Sequence, residues 1–211
     1  PQTVAMGAAD LGIVGYNEVA ERGYEVDILK KLGFGGCRIS LAVPKADKYE
    51  GLEYFNGKRI ATSYPNVLQK FFDENNIKAD IHTITGSVEI APAAGLADAI
   101  FDIVSSGSTL VSNRLKEVEI VTESDAVLIA NKNLAPEKKE ILEELLFRIE
   151  AVQTAEDKKY VLMNVPNVSL DDVLSVLPGI KSPTVTPLAN SDWSSVSTVL
   201  PEKIFWEIIN K

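Results

Sequence analysis

Hydrophobic residues in this chain come in short runs, some alternating and some recurring at helical spacing, with turn residues between them. LGIV at 11–14 predicts a buried strand, with a loop and a helix after it. CRISLAV at 37–43 alternates well enough for a second strand, which Pro44 ends. Residues 45–57 are polar, with Gly51 and Asn56-Gly57 as breaks. A strand–turn–helix unit follows. Residues 58–61 read as the strand, and Thr62, Ser63, Tyr64 and Pro65 offer N-cap hydroxyls and a proline suited to a first helical turn. Val67, Leu68, Phe71 and Phe72 then recur at helical spacing.

Residues 81–84 predict another strand, with Gly86-Ser87 and a short helix from Val88 behind it. ADAIFDIV at 97–104 predicts a strand, SSGST at 105–109 a small-residue turn, and Leu110 the start of a helix. Further strands are expected at 118–121 and 126–130. A long helix after Pro136 carries Ile141, Leu142, Leu145, Leu146 and Ile149 on one stripe. Strands alternating with helices imply a mostly parallel, open α/β sheet. After Lys158 the pattern changes to a strand at 160–165, a helix at 170–177, strands at 184–188 and 194–200, and a helix from Glu202. That order is β-α-β-β-α, one strand short of a ferredoxin-like unit.

At 211 residues there is room for one large or two modest domains, and 45% hydrophobic with 24% charged residues is ordinary for a globular protein. No apolar run approaches the roughly 18 residues of a membrane span, and no secretory leader stands at the N-terminus. One cysteine, Cys37, excludes an internal disulfide; with His82 as the one histidine, a zinc cage is implausible and a cytoplasmic protein is expected. A net charge of −9 argues against non-specific nucleic-acid binding, though it leaves room for a small polyanion held by backbone N–H groups, a few cations and Mg²⁺. The chain opens on Pro1 and stops within the apolar-periodic stretch 204–209, so a piece of a longer protein is expected.

The strongest candidate for chemistry is the turn of Ser105, Ser106, Gly107, Ser108 and Thr109, which follows a strand and opens a helix at Leu110. N–H groups and the positive end of the helix dipole converge in that setting on a phosphate. Asp98 and Asp102 stand four apart, on one face of the preceding strand, where a carboxylate suits ribose hydroxyls. The plainer alternative is a solvated turn beside two surface aspartates. Thr62 to Pro65 is a second candidate anion or nucleotide site, with Tyr64 for stacking or a hydroxyl contact, and Glu89 lies at the N-terminus of a short helix. Arg38, Lys58 and Arg59 are possible phosphate partners, each more often a solvated charge when taken singly. His82 reads as a surface or packing residue rather than a catalyst, and Cys37 as a small hydrophobe in an apolar strand. No nucleophile–base–orienter set is visible. A transfer with oxocarbenium character does not need one, because positioning and charge stabilisation can carry the rate.

Taken in order, DLGI at 10–13, FGGCRISLAVP at 34–44, GKRIATSYP at 57–65, GSVEIAP at 86–92 and GLADAIFDIVSSGSTL at 95–110 resemble the ATP phosphoribosyltransferase family. YVLMNVP at 160–166 and LPGIKSPTVTPLA at 177–189 resemble the regulatory domain of its long form. The resemblance implies a bilobal catalytic core like type II periplasmic binding proteins. The first lobe would comprise 1–38 and 131–158 and the second 39–130, with a ferredoxin-like regulatory domain at 159–211. Strands 37–43 and 126–130 would cross between the lobes. Phosphoribosyl pyrophosphate would lie on Asp98, Asp102, Ser105, Ser106, Gly107, Ser108, Thr109 and Leu110, and ATP near Asp10, Leu11, Tyr64 and Glu89.

By the same resemblance N1 of the adenine attacks C1 of the phosphoribosyl group, Mg²⁺-bound pyrophosphate leaves, and no protein side chain ligates the metal directly. Histidine as feedback inhibitor would meet Asn164, Ile180 and Thr184, in a hexamer. The pattern departs from relatives at Asn164, where some carry aspartate, and at Ala93, where some carry arginine. The basic, glycine-containing substrate loop of the first lobe and the last regulatory strand are not in this sequence. The competing expectation is a solute- or effector-binding protein of the same bilobal fold without catalysis.

Overall fold

A computed structural model describes residues 1–177 and 182–209. The chain divides into two compact units, Pro1–Ile141 and Leu142–Lys211. The first unit opens with α1 (Gln2–Ala5), β1 (Leu11–Gly15), α2 (Tyr16–Arg22) and β2 (Val26–Lys31). It continues through β3 (Cys37–Pro44), β4 (Arg59–Thr62), α3 (Pro65–Glu74), β5 (Asp80–Thr83), β6 (Ala99–Val104), α4 (Ser108–Ser112), β7 (Leu115–Ser124) and β8 (Ala126–Asn131). Helix α5 (Pro136–Glu156) begins in the first unit and ends in the second. Of its expected apolar stripe Leu142 is buried, whereas Ile141 and Leu145 are exposed. No helix among the described residues is long and apolar enough to cross a membrane.

These strands build two sheets. Three pair antiparallel in the order β1-β8-β2, and five pair in the order β5-β4-β6-β3-β7. The expectation of a mostly parallel sheet is corrected: β4 runs parallel to β5 and β6, but β3 runs antiparallel to both β6 and β7. The reason is the route of the chain. It enters the five-stranded sheet on β3 and leaves on β7, and both crossings lie at one end, where Cys37 opposes Ser124. A second correction moves the lobe boundary: β8, expected in the second lobe, is the central strand of the first lobe's sheet. Strand β2, read from the sequence as loop and helix, was hidden because VDILKK has no clean alternation.

Both faces of the five-stranded sheet are covered. Ile39, Leu41, Val43, Ile60 and Phe101 pack under α3 with Phe55, Leu68 and Phe72, while Ala42, Ala61, Ile100 and Val104 point the other way to Val88, Leu110 and Leu115. This explains why the strand sequences are near-continuous apolar runs. Each fully buried Phe or Leu contributes roughly 1.5–3 kcal/mol.

The two lobes of this unit are tied by polar contacts that are themselves buried. The Asn17 backbone N–H donates to Ser124 Oγ at 2.9 Å, the Ser124 hydroxyl donates back to Asn17 Oδ1 at 2.9 Å, and Asn17 Nδ2 donates to the Tyr64 hydroxyl at 3.1 Å. A Cβ on Gly15 would lie 2.2 Å from Asn17 Oδ1, so only glycine lets this carboxamide fold back. Further along α2, the Glu21 carboxylate accepts the backbone N–H groups of Asn66 and Val67 at 3.0–3.1 Å. It therefore caps α3 from the other lobe. The hydroxyls expected to cap α3 do other work: Thr62 Oγ1 accepts the Tyr64 N–H, and Ser63 donates to the Ile84 carbonyl.

The second unit contains β9 (Lys158–Pro166), α6 (Leu170–Val176), β10 (Thr184–Pro187), β11 (Trp193–Pro201) and α7 (Glu202–Ile208). Its sheet is antiparallel in the order β10-β11-β9. The third strand in sequence sits between the other two, as in a ferredoxin-like unit. Val161, Met163, Val165, Val196 and Leu200 cover one face with Leu174, Phe205 and Ile208 from the helices.

Replacing the carboxylate that caps α3, Glu21→Ala, leaves the Asn66 and Val67 N–H groups without their acceptor at the helix start. It is expected to destabilise the protein by roughly 2 kcal/mol, read as a lower urea midpoint. Arg22→Ala, which removes the exposed Arg22–Glu18 pair, is expected to leave the urea midpoint close to that of wild type.

Candidate active site

Strand β6 delivers its C-terminal end into the loop Ser105–Thr109, and three features shape that loop. Gly107 has φ +79°, a left-handed conformation that lets the chain turn into α4 and that a side chain would strain. Ser106 and Ser108 hydroxyls lie 3.0 Å apart, and Ser106 Oγ also faces the Ser108 N–H at 3.4 Å. The opening N–H groups of α4 have no acceptor within the helix. Glu89, Asp102, Ser105, Gly107, Thr109 and Leu110 line one cavity of about 40 Å³ beside them.

Asp102 sits in β6 opposite Ser40 of β3, and its Oδ1 accepts the neighbouring Ile103 N–H at 2.8 Å. Burial pushes its carboxyl above the usual range; the Ile103 hydrogen bond opposes this, and the nearby negative charge of Glu89 adds to it. Tyr64 belongs to the same electrostatic neighbourhood. Burial raises its phenol, the hydrogen bond with Asn17 works the other way, and the charges of Glu18 and Asp102 raise it further, so it stays protonated at neutral pH. The structure thus brings Tyr64, Glu89, Asp102 and the loop together.

Other expected residues lie elsewhere. Asp98 precedes β6 at the end away from the loop, where it takes three hydrogen bonds from Arg59, and that guanidinium holds its carboxyl below the usual range. Arg59 is thereby spent on Asp98 and the Gly95 carbonyl rather than on a phosphate. Asp10 and Leu11 stand at the end of β1 away from the crossing, and both Asp10 oxygens accept from Lys138. Arg38 is bound to Glu117 through Nε and Nη2, and to the Ser105 carbonyl through Nη1 at 3.0 Å. Lys58 lies 5.3 Å from the Tyr54 ring centroid. His82 is paired with Asp80 at 2.7 Å.

In the second unit, Asn164 opposes Ser195, and Ser195 opposes Thr186; Leu162 and Thr184 both oppose Ser197. Asn164 and Thr184 therefore share the sheet face that the helices leave open. Ile180 lies outside the described residues. Sequence reasoning missed Asn17, Glu21, Glu117 and Ser124. Their partners are 45 to 107 positions away, so no local spacing marks them.

Comparison with known proteins adds the chemistry. The ATP phosphoribosyltransferase family model matches residues 1–151, and the model of the HisG C-terminal domain matches 155–211. An ATP phosphoribosyltransferase of Bacteroides fragilis is 67% identical over all 211 residues, which span 75% of its length. Its counterpart in Bacteroides thetaiotaomicron is 65% identical over the same span. Among solved structures, the ATP phosphoribosyl transferase (HisG:HisZ) complex from Thermotoga maritima superposes with a TM-score of 0.64 at 30% identity, covering 72% of this chain and 74% of that one. A substrate-binding protein of an amino-acid ABC transporter matches at TM-score 0.54 and 15% identity, over 74% of this chain and 70% of that one, which is likeness of fold alone.

Fold and family match together define a pentosyltransferase built on the frame of periplasmic binding proteins, followed in sequence by a ferredoxin-like domain. The chain belongs to the ATP phosphoribosyltransferase family, whose members transfer the phosphoribosyl group of phosphoribosyl pyrophosphate to ATP in histidine biosynthesis. The non-catalytic reading of the bilobal fold is set aside by these matches.

The half-buried carboxyl of Asp102 carries a stability signature. Its folded pKa is raised, so the folded state keeps a proton where the unfolded state has released it, and stability falls as pH rises through that window. Asp102→Asn is expected to melt higher than wild type at pH 7, with the difference vanishing below about pH 4, in paired melting curves.

Proposed function

We propose that the loop Ser105–Thr109 with Leu110 holds the 5′-phosphate of phosphoribosyl pyrophosphate, that Asp102 holds the ribose hydroxyls, and that Tyr64 and Glu89 face the ATP. One observation carries this reading: Glu89, Asp102, Ser105, Gly107 and Thr109 line a single cavity at the end of β6. The resemblance extends the substrate side to Asp98 and the ATP side to Asp10 and Leu11. Their positions make those contributions indirect, through the ion pairs that hold the two strands.

In the transfer, the lone pair of adenine N1 forms a bond to ribose C1 as the bond from C1 to the pyrophosphate oxygen breaks. Positive charge develops on the ribose ring and negative charge on the leaving oxygens. The Asp102 carboxylate, held in low dielectric, is favourable to the first. The loop N–H groups fix the far end of the sugar, so the reacting atoms meet in line. Mg²⁺ would supply charge stabilisation on the leaving pyrophosphate. Among the described residues no group of three or more His, Cys, Asp or Glu side chains could hold a metal. Mg²⁺ would instead be carried by the substrate's phosphate oxygens and water, without direct ligation by a side chain of this chain.

The open face of the second unit's sheet, with Asn164 and Thr184 on it, supports feedback inhibition by histidine in a hexamer, with Ile180 as a further contact. The cytoplasm is the compartment that this biosynthetic role suits.

Titration calorimetry with phosphoribosyl pyrophosphate and Mg²⁺ tests the substrate assignment. Wild type is expected to bind saturably, and Asp102→Ala and Thr109→Ala to weaken binding by about tenfold or more each. Unchanged affinity in both folded variants would remove the substrate from this loop.

A further inference from the structure

We infer that Arg38 is a positioning residue for the phosphate loop, acting on the orientation of the 105–106 peptide rather than on the phosphate itself. This rests on the reading that the loop holds the phosphate. Arg38 is the second residue of β3, opposite Val104 of β6, so its side chain starts beside the strand end that leads into the loop. Each of its three nitrogens donates one hydrogen bond. Nε and Nη2 meet the two Glu117 oxygens at 2.5 and 2.7 Å, and Nη1 donates to the Ser105 carbonyl at 3.0 Å. Glu117 is fixed in turn by the Ser40 hydroxyl, which donates to it at 2.6 Å from a residue that is 1% exposed. The charge of Arg38 is thus matched before any ligand arrives, and the aimed end of the group is a carbonyl of the loop.

The consequence follows from peptide planarity. In a trans peptide the C=O of one residue and the N–H of the next point in opposite directions. Ser105 lies between two hollows. One, of about 270 Å³, is lined by Gly36, Cys37, Arg38, Glu123 and Asp125; the other is the loop cavity with Asp102, Gly107 and Thr109. Holding the Ser105 oxygen toward Arg38 turns the Ser106 N–H away from Arg38. An anion-binding loop fails when one of its peptides turns over, because an oxygen then stands where a donor should. Arg38 and Glu117 oppose such a turn from outside the cavity.

The test uses steady-state kinetics of the full-length enzyme, with Thr109→Ala as the reference for the loop. Arg38→Lys keeps a cation beside Glu117, but an ammonium cannot fork to both the carboxylate and the carbonyl. The paired variant Arg38→Gln with Glu117→Gln removes both charges, so no carboxylate is left buried alone. Both are expected to raise the KM for phosphoribosyl pyrophosphate about tenfold, to leave the KM for ATP within about twofold, and to melt near wild type. A merely structural role would lower the melting temperature or move both KM values together, and either pattern overturns the inference. So does an unchanged KM for phosphoribosyl pyrophosphate in both variants while Thr109→Ala raises it. If Thr109→Ala also leaves that KM unchanged, the placement of the phosphate on the loop fails first and the inference with it.

Discussion

A carboxylate from one lobe seated on the helix start of the other is the contact on which this molecule's geometry turns. Glu21 supplies to α3 what an N-cap side chain would supply locally, and Asn17, one turn earlier on α2, grips Ser124 at the crossing and Tyr64 in the cleft. Both residues are nearly inaccessible to solvent, so their own polar groups depend on these partners rather than on water. The set couples three things at once: the start of a helix, the crossing between sheets and the aim of a cleft tyrosine. Gly15 makes it possible by leaving room for the Asn17 carboxamide.

The same contact clarifies how an acidic chain manages a polyanionic substrate. Two loops of the first unit open helices in ways that suit an anion. One is filled from within by Glu21, and the other, at Ser105, ends a strand that carries Asp102. Arg38, beside the loop, is matched internally by Glu117, and Arg59, at the far end of β6, by Asp98. Attraction to phosphate then rests on backbone donors and on whatever cation accompanies the substrate, which is consistent with a net charge of −9. Family membership and the two-unit frame fit this economy, since positioning carries much of the reaction.

Much of the fold was legible in the order of short apolar runs. The strands ending at Pro44 and Val104, the helix from Pro65 and the β-α-β-β-α tail all stand where their periodicity put them, within a residue or two. The loop at Ser105–Thr109 was legible too, because small residues between a strand and a helix leave a local mark. Strand direction was not. Whether β3 runs with or against β6 depends on where the chain leaves the sheet some eighty residues later, at β7. The roles of Arg38 and Asp98 were equally hidden, since a lone charge does not announce its partner. Glu117 and Arg59 are 79 and 39 positions away from them.

The central place of β8 has a consequence for how the protein is made. Among the described residues, strands β1 and β2 pair through β8, which follows β2 by some ninety-five residues. A ribosome adds 5–20 residues per second, so these two strands wait roughly 5–20 s without their middle partner. During that interval the second lobe can complete most of its sheet, while Ile13 and Ile28 remain on unpaired strand edges of the kind that recruit other chains. The lobe that comes first on the chain is therefore the last to close, and its assembly depends on prompt folding of the segment inserted within it.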